Sequence, residues 1–415
     1  MLSSIARQRL ASLLLICLVS ACATAEPDDV AMLGGGPAPA IRDSAGVRIV
    51  EHPSDWPAHV PLLALADEPT TEIRDSVTVF DLILPDPVLL LADGRVAIFS
   101  ERSVVIHGAD GREIERIGRQ GEGPGEFRGG RLVRGLGDTI LVQDGGNARL
   151  SFVVPGRGVV RSRALRTSTA KDLFGLLGQF GSDALLLQTT GTPTPAGARE
   201  VPWYVARVDS GVNAITIVDT VQAPLILQGN TTRPIRSYDF TPLGAAWGPE
   251  LLTVGSRESV IEVRRASGAM VSSIRMHRPA MLVDRAMVAK DVEGSLQFLR
   301  DNWSRLSHRG DPEPNWDAMR TQMAATVVSD TIGPFRTVLM GDDGTAWLKD
   351  GGYYYADTVW AWTGVAQDGR LVGRLTGRGK DRIMAFGAGS ALTMEEDDDG
   401  VMVIRVHRLM PVEKQ

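Results

Sequence analysis

Short apolar runs, each opened by a turn, punctuate the chain from residue 88 to residue 410. Leu91-Ala-Asp-Gly-Arg-Val-Ala-Ile-Phe99 sets the form, and it returns at 136–144, 180–188, 247–255, 341–349 and 386–394. Each carries the Asp/Gly chemistry of a tight hairpin, whose tip needs positive φ. The turns are marked by Gly94, Asp138, Asp183, Glu250, Gly344 and Ser390. Most steps between them are about 45 residues, the period of a four-stranded propeller blade. The steps from Asp183 to Glu250 and from Glu250 to Gly344 are longer and carry insertions. A second hairpin follows most turns, as in Val104 to Ile117. The expected fold is therefore all-β: a six-bladed β-propeller of four-stranded antiparallel blades over residues 47–411. The last unit is short by one outer strand. Val47-Arg-Ile-Val50 is expected to supply it, tying the ends together and removing a free edge.

The two insertions differ in pattern. Thr189 to Ala198 is polar and turn-rich. From Asp284, a good N-cap, apolar residues fall at Val288, Val292, Leu296, Leu299, Trp303 and Leu306, in helical steps of three and four. After Asp311-Pro-Glu-Pro314 a shorter helix holds Met319, Met323 and Val327. This helical insertion, about 284–330, falls between blades four and five and is expected to brace the ring, with a lid or partner-contact element as the alternative.

Arg116-Ile-Gly-Arg-Gln-Gly-Glu-Gly-Pro-Gly-Glu-Phe-Arg128 joins one strand pair to the next. Gly121, Gly123 and Gly125 permit backbone angles closed to other residues, Pro124 fixes one angle, and Phe127 can anchor the chain in a core. With Glu126, these residues read as an inter-blade structural loop. The Gly121 to Phe127 pattern, together with Arg42-Asp-Ser-Ala-Gly-Val-Arg-Ile-Val50, resembles the six-bladed, NHL-like β-propeller lipoproteins of bacteria. The resemblance spans nearly all of the mature chain and implies a propeller fold, an export route and a binding role.

The N-terminus fits that route. Residues 1–21 read as a signal peptide, with Arg7 and Arg9 before an apolar run from Leu10 to Leu18. Leu18-Val-Ser-Ala-Cys22 looks like a lipobox, with Cys22 as the lipid-attachment residue. Cleavage after Ala23-Thr-Ala25 is the alternative and would release a soluble periplasmic or secreted protein. Ala23, rather than aspartate, follows the cysteine; the resemblance then implies the outer membrane in a two-membrane cell. Residues 22–46 have the composition of a flexible tether.

Composition narrows the chemistry. The 415 residues are 43% hydrophobic and 23% charged, as in a soluble globular protein, and the net charge of −6 argues against a nucleic-acid partner. The two cysteines, Cys17 and Cys22, lie in the leader and at its expected cleavage site, which leaves the body without a disulfide or a cysteine metal site. The six histidines are scattered, and no nucleophile elbow, P-loop or dinucleotide fingerprint occurs. Glu395-Glu-Asp-Asp-Asp-Gly400 reads as a solvated hairpin tip rather than a calcium loop. No metal, cofactor or catalytic residue is expected.

Aromatics are sparse, yet Tyr353, Tyr355, Trp360 and Trp362 crowd one segment. Two readings stay open for them: inter-blade packing, or a stacking surface for a sugar or peptide. The functional expectation is a membrane-tethered binding module for a peptide, glycan or envelope protein. The alternative is a metal-dependent, lactonase-like hydrolase or lyase. Such enzymes need acids and histidines around a central channel, and the strands read as innermost, those after each turn, offer only Arg95, Asp144, Glu250 and Lys349.

Overall fold

The computed structural model describes residues 38–74, 88–164, 173–180, 183–189, 200–208, 215–224, 243–247, 250–254, 259–265, 267–279, 281–306, 312–325, 331–351, 359–378, 383–397 and 401–412. The turns marked above each join two antiparallel strands. Leu90 pairs with Val96, Arg134 with Ile140, Phe180 with Asp183, Trp247 with Glu250, Met340 with Ala346 and Gly387 with Ser390. The local cause is visible where Asp precedes Gly. The Asp93 carboxylate accepts the Arg95 amide at 3.1 Å while Gly94 takes φ +82°. Asp343 accepts Thr345 N at 2.8 Å beside Gly344 at φ +77°.

Each turn lies in an antiparallel meander. The first sheet runs Val88–Leu90, Val96–Ser100, Ser103–His107, Glu113–Ile117, and the second Arg131–Arg134, Ile140–Asp144, Arg149–Val154, Gly158–Ala164. The third runs Leu173–Phe180, Asp183–Thr189, Glu200–Val208, Ile215–Pro224. The fourth begins Leu243–Trp247, Glu250–Val254, Val260–Arg265, Met270–Arg275. Two further meanders, Phe335–Met340 to Leu371–Arg378 and Ile383–Gly387 to Met402–Pro411, are bridged by Leu62–Leu65 into one nine-stranded sheet. They are called the fifth and sixth sheets below.

Successive sheets meet through their first strands. Val88–Leu90 touches Arg131–Arg134, which touches Leu173–Phe180; Leu243–Trp247, Phe335–Met340 and Ile383–Gly387 follow, and the last returns to Val88–Leu90. The innermost strands are thus those before each turn. This corrects the expectation that Arg95, Asp144, Glu250 and Lys349 face the centre: they sit on or beside second strands, one layer out.

The core lies between sheets. Phe99, Ile106, Phe127, Leu132 and Ile140 fill the space from first to second sheet, and Leu252, Ile274, Phe335 and Leu348 that from fourth to fifth. Strands covered on both faces are buried at consecutive positions, as in Val96–Ser100 and Ser103–His107. The outer strand Glu113–Ile117 is largely exposed. Each fully buried aliphatic or aromatic side chain contributes about 1.5–3 kcal/mol.

Residues 40–73 form a strap over the later sheets. Ala40–Ser44 pairs with Val47–Glu51, so ordered backbone begins inside the span expected to be tether. Val47–Glu51 adds in parallel to Met270–Arg275 of the fourth sheet, Arg48 opposite Ser272. It does not complete the last sheet. Val50 there enters the core between the fourth and fifth sheets, where Trp56 follows and donates from Nε1 to Met276 O at 2.6 Å. The strand that completes the sixth sheet is Thr71–Ile73, antiparallel to Met402–Pro411, with Ile73 1% exposed among Val88, Leu392 and Ile404. Composition could not separate the two segments, because either offers β-branched residues to an open edge. Thr71 Oγ1 also donates to Ala109 O at 2.9 Å, which ties the strap to the first sheet.

The insertion holds two helices, α1 (Arg285–Leu306) and α2 (Trp316–Ala324); Val327, expected on the second, lies outside the described residues. Asp284 Oδ1 accepts Met287 N at 2.7 Å and Asn315 Oδ1 accepts Ala318 N at 3.0 Å, satisfying amides that a helix start leaves unpaired. Val292 and Leu296 are buried on one face of α1. The helices are linked by a two-point Glu293–Arg320 pair and an edge contact of Trp303 with Trp316.

Candidate functional site

Where the first strands converge they line an open-mouthed cavity of about 380 Å³. All six contribute: Val88, Arg131 to Arg134, Leu176 to Gln179, Ala245 and Ala246, Val338 to Met340, and Met384. The lining is mostly small or aliphatic because neighbouring first strands approach closely. A Cβ on Gly178 would lie 2.6 Å from Ala246 Cβ, so only glycine fits there.

The few polar side chains sit near the turns, and several staple one sheet to the next. Gln179 Oε1 of the third sheet accepts Leu136 N of the second at 3.0 Å. Asp342 Oδ1 of the fifth accepts Ala388 N of the sixth at 2.7 Å. Arg134 Nη2 of the second donates to Leu90 O of the first. Burial pushes the Arg134 guanidinium below its ordinary pKa, with Asp342 and Asp343 acting in the opposite sense. Asp138 lies exposed on its turn. Arg131, Arg134, Gln179 and Asp342 were not singled out from the sequence. The available signal is positional: each lies on a first strand or in the turn that ends it.

The aromatic segment is placed differently from a stacking surface. Trp362 is 2% exposed, packed with Trp347, Leu375 and Phe386 between the fifth and sixth sheets, and meets Phe386 edge-on at 5.3 Å. Trp360 is half-buried against the same cluster and lies across its cross-strand partner Gly377, where any Cβ would strike the indole. Burial thus corrects the ligand-binding option for Trp362 and leaves packing. Tyr353 and Tyr355 lie outside the described residues, as does Cys22.

The crossing from first to second sheet is held by short polar contacts. Arg119–Gln120 pairs in parallel with Glu126–Phe127, and Gly121 N donates to Phe127 O at 3.1 Å. Glu126 turns back on the loop, accepting Gly123 N at 2.8 Å and Arg119 Nε at 2.8 Å; these contacts hold its carboxyl below the usual range. Gly125 takes φ +75° after Pro124. Phe127 is wholly buried against Phe99. Beneath the loop, Asp144 is 0% exposed and accepts from Arg128 N, Gly129 N, Asn147 N and Asn147 Nδ2 at 2.8–3.2 Å. Arg149 reaches over it to Gly123 O and Glu126 O.

Histidines in strands are likewise engaged: His107 Nδ1 meets Gly111 O at 3.1 Å and His407 Nδ1 meets Ala66 O at 2.8 Å. Of the acidic turn, Asp397 is bonded to Val401 N at 2.8 Å, and 398–400 lie outside the described residues. Among the described residues, no three His, Cys, Asp or Glu side chains are grouped to hold a metal ion.

A ring of small antiparallel sheets, joined through their first strands around a cavity, defines a β-propeller. No protein-family model matches the sequence, and no curated protein matches it. Among solved structures, a member of the DUF4221 family from Bacteroides vulgatus is similar at TM-score 0.44 and 10% identity, over 85% of this chain and 97% of that one. Regucalcin, a calcium-binding protein from Agrobacterium tumefaciens, is similar at TM-score 0.37 and 11% identity, over 86% and 99%. BamB from Moraxella catarrhalis is similar at TM-score 0.23 and 11% identity, over 78% and 71%. Similarity this distant carries no information about ligand or reaction.

Proposed function

We propose that this chain is a membrane-tethered, extracytoplasmic six-bladed β-propeller of four-stranded blades that acts as a binding module. Its ligand is a peptide, a glycan or part of an envelope protein. Export and anchoring rest on the leader and Cys22, and the blade count rests on the six turn-joined meanders and their cyclic contacts. The observation that carries the binding role is the cavity of about 380 Å³, lined by all six first strands and chiefly apolar with a few fixed polar groups. Such a site is the usual form of a small-ligand pocket, where apolar walls supply affinity and few polar atoms set orientation. Propeller hydrolysis would need acids and histidines converging on that cavity, and among the described residues the lining offers Asp138 and Asp342 without a histidine.

The test is a thermal-shift screen of the purified full chain against short peptides and oligosaccharides, in parallel with Val133→Trp. Val133 lines the cavity, and an indole there obstructs it. Ligands that stabilise the wild type and not the variant support the reading. A ligand that stabilises both equally binds elsewhere and sinks it.

A further inference from the structure

We infer that the cavity takes a ligand with an apolar body and a free carboxylate, and that Arg134 holds the carboxylate; the inference rests on the cavity being the binding site proposed above. The polar side chains of the lining are not equivalent. Gln179 and Asp342 each commit an oxygen to the amide of a neighbouring turn. Arg134 has donors to spare. A guanidinium carries five N–H groups, and the bond from Nη2 to Leu90 O uses one. Among the described residues Nε is sealed from solvent with no acceptor, and Leu90 O is the acceptor that the guanidinium meets through Nη2. Among the described residues no carboxylate forms an ion pair with Arg134.

Asp342 and Asp343 are near enough to favour the charge. A half-buried cation with unmade hydrogen bonds is costly until an anion completes it. A carboxylate is the matching group, since its two oxygens accept from the planar fork with charge-assisted geometry. Leu177, Val338, Leu339, Met340 and Met384 then receive the apolar body.

A carboxylate of this kind has two sources: a small aliphatic acid, or the free C-terminus of a peptide. Titration calorimetry on the full-length protein separates them with three probes: hexanoate, N-acetyl-Leu-Leu with a free carboxyl, and N-acetyl-Leu-Leu amide. At least one acid is expected to bind. Loss of the charged pair should weaken the amide, and weaken both acids toward Arg134→Gln, by about tenfold or more. Arg134→Lys should restore part of the loss. Tighter binding of hexanoate identifies the small acid, and tighter binding of the peptide acid identifies the chain end.

Equal binding of acid and amide overturns the inference, as does an Arg134→Gln protein that binds the acids unchanged. If acid and amide bind equally and Val133→Trp abolishes both, the cavity remains the site and only the carboxylate assignment falls. If Val133→Trp changes neither, the cavity reading falls with it. Absence of binding by either acid at millimolar concentration rejects the carboxylate assignment and leaves the cavity to its own screen. The acid–amide comparison uses wild-type protein, so it holds even if the variants fold poorly.

Discussion

Two buried polar residues carry consequences that their neighbours do not. Asp144 has no exposed surface and accepts from three backbone amides and one side-chain amide. Its truncation would strand those donors in the protein interior. Asp144→Ala should therefore cost about 2–4 kcal/mol, read as a lower midpoint in urea unfolding. His52 is 3% exposed, with Nε2 on Gly369 O at 2.9 Å. Burial, aided by the charge of His277 and opposed by the Gly369 bond, lowers its pKa from 6.5. The unfolded chain therefore binds the proton more readily than the folded one. The contribution of this group to stability is complete above about pH 6.5 and is lost as the pH falls below it. Melting temperature should drop between pH 7.5 and 5.5, and His52→Gln should flatten that slope; an unchanged slope would place the titration elsewhere.

At the scale of elements, turns were legible and strand ownership was not. Asp93-Gly94 and Asp343-Gly344 announce themselves because positive φ favours few residues. Asp284 and Asn315 mark their helices because a short side-chain oxygen before a helical stripe has one common use. The first strands, by contrast, were overlooked. Arg131–Arg134 holds two apolar residues between two arginines, and its burial comes from neighbouring sheets rather than from its own pattern. The cavity lining was hidden for that reason. The strap was visible as strand-like sequence, and its partners were not, because pairing across more than 200 residues leaves no local signature. The closing strand is a sharp test. Ile73 is 1% exposed within the core between the sixth and first sheets. Ile73→Ala should cost about 2–4 kcal/mol in denaturant unfolding, whereas Ile41→Ala on the exposed strand Ala40–Ser44 should cost little.

For the whole molecule, the proposed anchor and the propeller are separable. Cys22→Ser should move the protein from the membrane fraction to the soluble fraction on cell fractionation while leaving the melting temperature of the body unchanged. Retention in the membrane fraction after salt washing would count against lipid attachment at Cys22. Cavity binding, measured by the acid probes, should survive the same substitution, since the cavity is built from residues 88 onward.

The strap also imposes an order in time. Thr70 donates to Val406 O across 336 residues, and His52 meets Gly369 O across 317. At about 5–20 residues made per second, the long-range partners of the strap appear roughly tens of seconds after the strap itself. During that interval Ile49 and Val50 have only their hairpin partner Ala40–Ser44, and Ile73 is an apolar strand residue without a sheet. A chain passed across a membrane N-terminus first meets the same delay on the far side, and the ring is sealed by the part of the body that arrived earliest.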